Sequence, residues 1–299
     1  METARCKAFL YAAEKGSLSR AADELGYTPS GVSQLITALE DDLGFKLLQR
    51  TKKGVTLTQA GTQMLPIIRQ FITDEAAIYE KASDIKGLAV GEVTICSYPS
   101  IATYLLPMLI QRFQTDYPQI RIHLMEGILQ EIQEWVLDGT ADMGFQTNQS
   151  TSLFEWTPLQ DDRMVAVLPD HHPLANAESY PISLCKEEDF IMPALGNDMD
   201  VKELLSRFDI DPNIKFSTME NPVMLGLIKS GLGMSIMNEL STTAWADQLN
   251  ILPLKPDVFV TYGIVTPKAR HISPAAEKFR EYAVRMLTKK KQTTREKVK

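Results

Sequence analysis

The sequence predicts a mixed chain built in three parts: a small all-α head with a short two-stranded wing, one long helix, and an α/β body of two lobes. Three observations predict it. Two helices with separate capping residues follow each other closely between Ser19 and Leu43. An apolar repeat every seven residues runs from Met64 to Ile85. Beyond it, strand-like and helix-like apolar runs alternate to the end of the chain, the pattern of a sheet covered by helices.

The head is read first from SRAADELGYTPSGVSQLITALE, residues Ser19 to Glu40. Ser19 has the side chain to cap a helix through Arg20, Ala21, Ala22 and Leu25, which Gly26 then ends. Thr28 is a second N-cap, and Pro29 takes the first helical position, where a missing N–H costs nothing. Val32, Leu35, Ile36, Leu39 and Leu43 recur at helical spacing and form the buried stripe. What stays outside is Thr28, Ser30, Gly31, Ser33, Gln34 and Thr37, a face without a charge. Surface helices usually carry Lys and Glu there. Small hydrogen-bonding residues instead suit a helix that approaches base edges in a major groove, where Gln34 can bond adenine and the hydroxyls can meet base edges or a thymine methyl. In isolation an ordinary polar solvent face is the alternative.

The flanks favour the groove. Phe9, Leu10 and Ala13 give a preceding helix that closes at Gly16, and FKLLQRTKKGVTLTQAG reads as strand, basic turn, strand. This is a winged helix-turn-helix, with Arg50, Lys52 and Lys53 placed for the phosphate backbone or a minor groove. The repeat of Met64, Phe71, Ile78 and Ile85, with Ile68 and Ala82 between, is a coiled-coil-like seam of about three heptads that needs a partner, and Pro66 marks a bend near its start.

The body starts with VTICS, a helical stretch TYLLPMLIQRFQTDYP, the strand RIHLM, a helix around EIQEWVLDG and the strand ADMGF, an order typical of a parallel sheet. A second unit runs from MVAVLP through FIM, a helix around VKELLSRF, KFST, a helix after Asn221–Pro222, MSIM and the return strand FVTYGIVT. The terminal helix from Ser273–Pro274 to Leu287 crosses back onto the first unit. Two lobes of this kind leave a ligand cleft at their strand ends. The expected limits are 1–58 for the head, 59–87 for the linker helix, 88–288 for the body and 289–299 for a basic tail; lobe I takes about 88–162 and 268–288, lobe II about 163–267.

Composition narrows the classes. With 44% hydrophobic residues in 299, the chain can bury real cores, and no apolar run approaches the ~20 residues of a membrane helix, so a cytoplasmic protein without membrane contact is expected. A net charge of −7 confines any affinity for nucleic acid to a local patch. Cys6, Cys96 and Cys185 are too scattered for a disulfide framework or a metal site. His171–His172 lacks further metal ligands and reads as a surface or capping pair; GLG at Gly231–Gly233 lacks a dinucleotide fingerprint; Asp161–Asp162 reads as solvated. No nucleophile with a base is visible, so the chain is expected not to be an enzyme, to use no cofactor and to bind no metal.

The segment FLYAAEKGSLSRAADELGYTPSGVSQLITALEDDLGFKLLQRTKKGVTLTQAG resembles the N-terminal signature of the LysR-type transcriptional regulators. Ala21–Ala22, the run Pro29 to Gln34, Leu39–Glu40, Leu43–Gly44, Arg50 and Leu57–Thr58 to Gly61 carry the resemblance, while Gln34 stands where the family often has Arg. The phrases LLPMLIQRFQTDYPQIRIHLMEG, DGTADMGF, VAVLPDHHPL and IKSGLGMSIM similarly resemble the family's effector domain, which looks like a type-2 periplasmic-binding-protein fold. The resemblance implies a regulator that docks Arg20, Thr28, Pro29, Ser30, Gly31, Ser33, Gln34, Thr37, Arg50, Lys52 and Lys53 on a pseudo-palindromic duplex. It implies that Ser97, Ser100, Ile101, Leu129, Gln146, Pro193, Asn197 and Asp198 face a small effector. Ser100 and the Gly196–Asn197–Asp198 turn stand at helix starts whose amides favour an anion, and Ile128 with Leu129, in place of the family's hydroxyl, leaves room for an apolar body. A dimer or homotetramer, and contact with RNA polymerase, are the further partners the resemblance implies. A solute-binding protein without a regulatory role is the alternative suggested by the two-lobed body alone.

Overall fold

The computed structural model describes residues 2–51, 54–86, 88–148 and 152–288; Lys52, Lys53 and the basic tail 289–299 lie outside them. The head packs α1 (Thr3–Lys15), α2 (Leu18–Leu25) and α3 (Pro29–Leu43) around Phe9, Ala21, Ala22, Val32, Ile36 and Leu39. The cap of α2 is Ser17 and not Ser19: the Ser17 hydroxyl accepts from the Arg20 amide, and Ser19 stands inside the first turn. Thr28 caps α3 as expected, accepting from the Gly31 amide at 3.1 Å. The wing pairs β1 (Leu48–Thr51) with β2 (Gly54–Leu57) antiparallel.

Glu40 fastens this head together. It is buried, and its carboxylate accepts from the Leu47 amide at 2.8 Å, the Leu48 amide at 3.1 Å and the Lys46 ammonium at 2.7 Å, so the end of α3 is tied to the start of the wing. Burial by itself raises the carboxyl's pKa, but these donors outweigh it and hold the group below its ordinary value.

The linker helix α4 (Gln59–Ile85) starts on a Thr58 cap and passes through Pro66 without interruption. Its start lies against the wing so closely that a Cβ on Gly61 would come within 2.1 Å of the Leu47 carbonyl oxygen. The heptad repeat divides along its length. Ile68 is buried in the head core, with Met64 and Phe71 packed against it, whereas Ile78 and Ile85 are 69% and 79% exposed. The inner face of α4 meets the body through ions: Arg69, nearly buried, pairs with Glu14 of α1 at 3.0 Å and with Asp138 at 2.7 Å. Further along, Glu80 accepts from the Ala275 amide and Asp84 pairs with Lys278 at 3.1 Å.

The first lobe contains β3 (Gly91–Ser97), α5 (Pro99–Tyr104), α6 (Leu106–Asp116), β4 (Ile120–Glu126), α7 (Leu129–Asp138) and β5 (Met143–Thr147), with β3 parallel to both β4 and β5. The single helix expected over TYLLPMLIQRFQTDYP is two, broken at Leu105 ahead of Pro107. β6 (Phe154–Leu168) then runs through both lobes. The second lobe adds β7 (Tyr180–Pro181), β8 (Asp189–Pro193), α8 (Met199–Arg207), β9 (Asn213–Thr218), α9 (Asn221–Lys229), β10 (Ser235–Asn238) and β11 (Asn250–Lys255). Return strand β12 (Phe259–Pro267) pairs antiparallel with β5 and β6, and α10 (Pro274–Thr288) closes the first lobe's core with Phe279, Ala283 and Leu287. Residues 259–267, expected in the second lobe, therefore lie in the sheet of the first. Strand β11 is hidden in the sequence because Pro253 stands inside it; it nevertheless pairs with β6 on one side and β7 on the other.

Replacing Glu40 by Ala is expected to destabilise the head by about 1–3 kcal/mol at neutral pH, because the buried Leu47 amide and the half-buried Leu48 amide lose their acceptor. Since the folded carboxyl lies below its ordinary value, this contribution is complete above about pH 4.3 and is lost as pH falls through the folded value. Hydrogen exchange of the α3 and β1 amides across pH checks both statements; equal protection in variant and parent at neutral pH contradicts them.

Candidate functional site

The helix-turn-helix face forms as a surface. Arg20, Thr28, Pro29, Ser30, Gln34, Thr37 and Arg50 are exposed, and Gly31 and Ser33 are half-buried between them. Two of these residues have internal duties. Thr28 caps α3 and also meets the Ser30 hydroxyl at 3.1 Å, while the Arg50 guanidinium donates to Ser33 Oγ. Arg50 on the wing thus braces α3 from the side. Gln34 and Thr37 stay exposed on the outer face of α3. Lys52 and Lys53, at the wing tip, fall outside the described residues.

The second site is the cleft between the lobes, a cavity of ≈ 610 Å³. Its walls are helix starts: Tyr98 and Pro99 ahead of α5, Ile128 and Leu129 at α7, Asp198 and Met199 at α8, and Glu220 to Pro222 at α9. Of the eight residues implied for the effector, Ser100, Leu129, Asn197 and Asp198 line it. Ser97, Ile101, Gln146 and Pro193 do not. Ser97 and Ile101 are buried, and the Ser97 hydroxyl donates to the Tyr98 carbonyl. Gln146 is fully buried in β5, with neither amide atom hydrogen-bonded among the described residues, and Pro193 ends β8 just before lining residue Ala194.

Tyr98, Tyr104, Trp245 and Tyr262 also line the cleft, as do Glu126, Glu131, Asp200 and Glu220, none of which the sequence singles out. A sequence signal for the acids exists, since acidic residues collect in first helical turns, as Glu131 does in α7 and Asp200 in α8. Glu131 accepts from the Ile128 amide at 2.9 Å, and Asp198 from the Val201 amide at 3.0 Å. Among the described residues the lining contains no Lys, Arg or His. An anionic ligand, expected from helix starts alone, meets a wall of carboxylates instead.

Asp162 corrects a second expectation. It is not a solvated side chain: it accepts from Tyr262 Oη at 2.6 Å, Asn238 Nδ2 at 3.0 Å and the Leu240 amide at 3.1 Å, fixing two lining residues from below. Burial raises its pKa, opposed by these donors. Burial also raises Tyr98, and Asp200 and Asp198 add to the shift from across the cleft. His172 accepts from the Leu174 amide at 3.0 Å and meets Glu188 at 2.9 Å, a capping role within a loop. Cys6, Cys96 and Cys185 are separate buried thiols.

Residues 4–62 match the family model of the bacterial regulatory helix-turn-helix protein, lysR family, and residues 86–288 match the LysR substrate binding domain. This chain belongs to the LysR family of transcriptional regulators. Among its relatives is the uncharacterized HTH-type transcriptional regulator YoaU of Bacillus subtilis, 30% identical over 272 residues that cover 91% of this chain and 93% of that one. The full-length structure of an OxyR variant from Pseudomonas aeruginosa shares its fold with a TM-score of 0.79 at 19% identity, covering 96% of each chain. The effector binding domain of QuiR in complex with shikimate aligns with a TM-score of 0.62 at 22% identity, covering 67% of this chain and 98% of that one. This LysR regulator therefore pairs a DNA-binding helix-turn-helix with an effector-binding domain.

Arg50→Ala is expected to weaken binding to all duplexes alike and to reduce the salt slope by about one unit, while Gln34→Ala relaxes base choice at one position per half-site at about 1–3 kcal/mol. Competition binding at several salt concentrations separates the two; identical behaviour of both variants would remove the assigned docking.

Proposed function

We propose that a small molecule bound in the cleft sets the arrangement of paired DNA-binding heads on an operator with two related half-sites. One observation carries the reading. Helix α7 has its first turn in the cleft wall, at Ile128 and Leu129, and its last residue, Asp138, pairs with Arg69 of the linker helix, which in turn holds Glu14 of the head. A shift of α7 on lobe closure therefore acts on both ends of this ion triad. A ligand that prefers one arrangement shifts the population only by its differential affinity, typically ~1–3 kcal/mol in such coupling.

In this reading residues 1–58 bind DNA, 59–87 form the linker helix, 88–288 bind the effector and 289–299 are a basic tail. Gln34, Ser30 and Thr37 meet base edges; Arg20, Arg50, Lys52 and Lys53 meet phosphates. The exposed apolar side chains of α4, Ile67, Ile78, Tyr79 and Ile85, support self-association through that helix. A dimer forms there, a tetramer follows by contact between effector domains, and the partner in transcription is RNA polymerase in the cytoplasm. No described helix is long and apolar enough to cross a membrane.

Selection of bound duplexes from a random pool tests the operator: two half-sites about 10 bp apart, or a multiple of it, are expected, and a lone half-site overturns paired heads. Ile78→Asp with Ile85→Asp puts charge into the proposed seam and is expected to lower the oligomeric state in sedimentation. An unchanged oligomer with both substitutions takes α4 out of the interface.

A further inference from the structure

The charge of the cleft bears on which ligands it accepts, given the proposal above that it is the effector site. We propose that the cleft takes an organic cation, an amine or quaternary ammonium on an apolar body. Carboxylates stand on both walls, Glu126 and Glu131 on the first lobe, Asp198, Asp200 and Glu220 on the second, and no basic side chain among the described lining residues offsets them. The carboxylates of Glu126 and Glu220 make no hydrogen bond or ion pair within the described residues, whereas Glu131 and Asp198 accept from helix amides.

Two effects compete for the sign of the ligand. The starts of α5, α7, α8 and α9 lie in the cavity wall, and helix starts favour an anion. Each is equivalent to only about half a positive charge, and that field dies within the first turn, so four of them, about two charges together, do not offset even Glu126, Glu131 and Glu220. The carboxylates prevail. The rest of the lining fits the same ligand: Tyr98, Tyr104, Trp245 and Tyr262 supply ring faces that attract a cation, and Leu129 and Met219 supply apolar surface for its body. The field also spans the gap. Tyr98 on one wall is shifted upward first by burial and then by Asp200 and Asp198 on the other. A cation seated between the walls removes the repulsion that opposes bringing them together, so binding and closure favour each other.

The test uses the full-length chain and three matched probes with one ring and one short chain: phenylethylamine, 2-phenylethanol and 3-phenylpropanoate. Ligand-observed magnetic resonance is expected to rank the amine above the alcohol and the alcohol above the acid, with about a thirtyfold gap between amine and alcohol, the scale of one desolvated cation–ring contact. Glu126→Gln with Glu220→Gln is expected to narrow that gap at least threefold and to leave alcohol binding unchanged. Ser100→Trp, which places an indole in the cavity, is expected to weaken all three at least tenfold. Preference for the acid that Ser100→Trp removes, or equal or absent binding across the series, overturns the cation while leaving the cleft in place. Amine binding that Ser100→Trp leaves unaltered overturns the cleft as the site. Melting curves confirm that each variant is folded.

Discussion

Everything in the body hangs on the antiparallel pairing of β6 with β12. β6 lays its first part, Phe154 to Arg163, on β12 in the sheet of the first lobe, and its last part, Met164 to Leu168, between β10 and β11 in the second. The register with β12 slips between Tyr262 and Gly263, opposite Gln160 and Pro158, and a slip of this kind adds local twist to β6 a few residues before it passes into the second lobe. Tyr262 stands at that slip, lines the cleft, and is held by Asp162 at 2.6 Å. A residue of the cavity lining thus stands at the irregularity next to the crossing between the lobes. A cleft placed there senses the angle between them directly.

The head shows how local chemistry and tertiary contact divide the work. Capping residues place α2 and α3, but the wing is aligned by Glu40 and the linker helix by the close approach of Gly61 to Leu47. These two contacts make head and linker one piece.

The legible part of the fold is the part written in local signals. Thr28–Pro29, the apolar stripe of α3 and the alternating runs of the body stand in the sequence in the order the structure uses them. The cap of α2 is ambiguous in sequence because Ser17 and Ser19 carry the same side chain, and only the backbone decides for Ser17. Strand β11 is hidden by Pro253, and the length of β6 by the polar residues Gln160 to Arg163 at the crossing. The cleft is half legible. Ser100, Leu129, Asn197 and Asp198 sit at helix starts that the sequence marks, but whether Ser97 or Gln146 reaches the cavity depends on the pleat and on what packs above it. The sign of the charge escapes a linear reading because the acids come from separate turns and gather only when the lobes form.

The ion triad of Arg69 has a consequence for how such regulators can be recombined. Its guanidinium is nearly buried and satisfied by one carboxylate from the head, Glu14, and one from the body, Asp138. A foreign module that lacks its acid leaves this nearly buried guanidinium with one ion pair in place of two, so neither module is exchanged without cost. Heads and effector domains joined at random around this arginine would fold with a strained or hydrated joint, and signal through it poorly. Interchange of parts is confined to pairs that bring both carboxylates, which makes three residues a compatibility code for grafting new sensors onto this head.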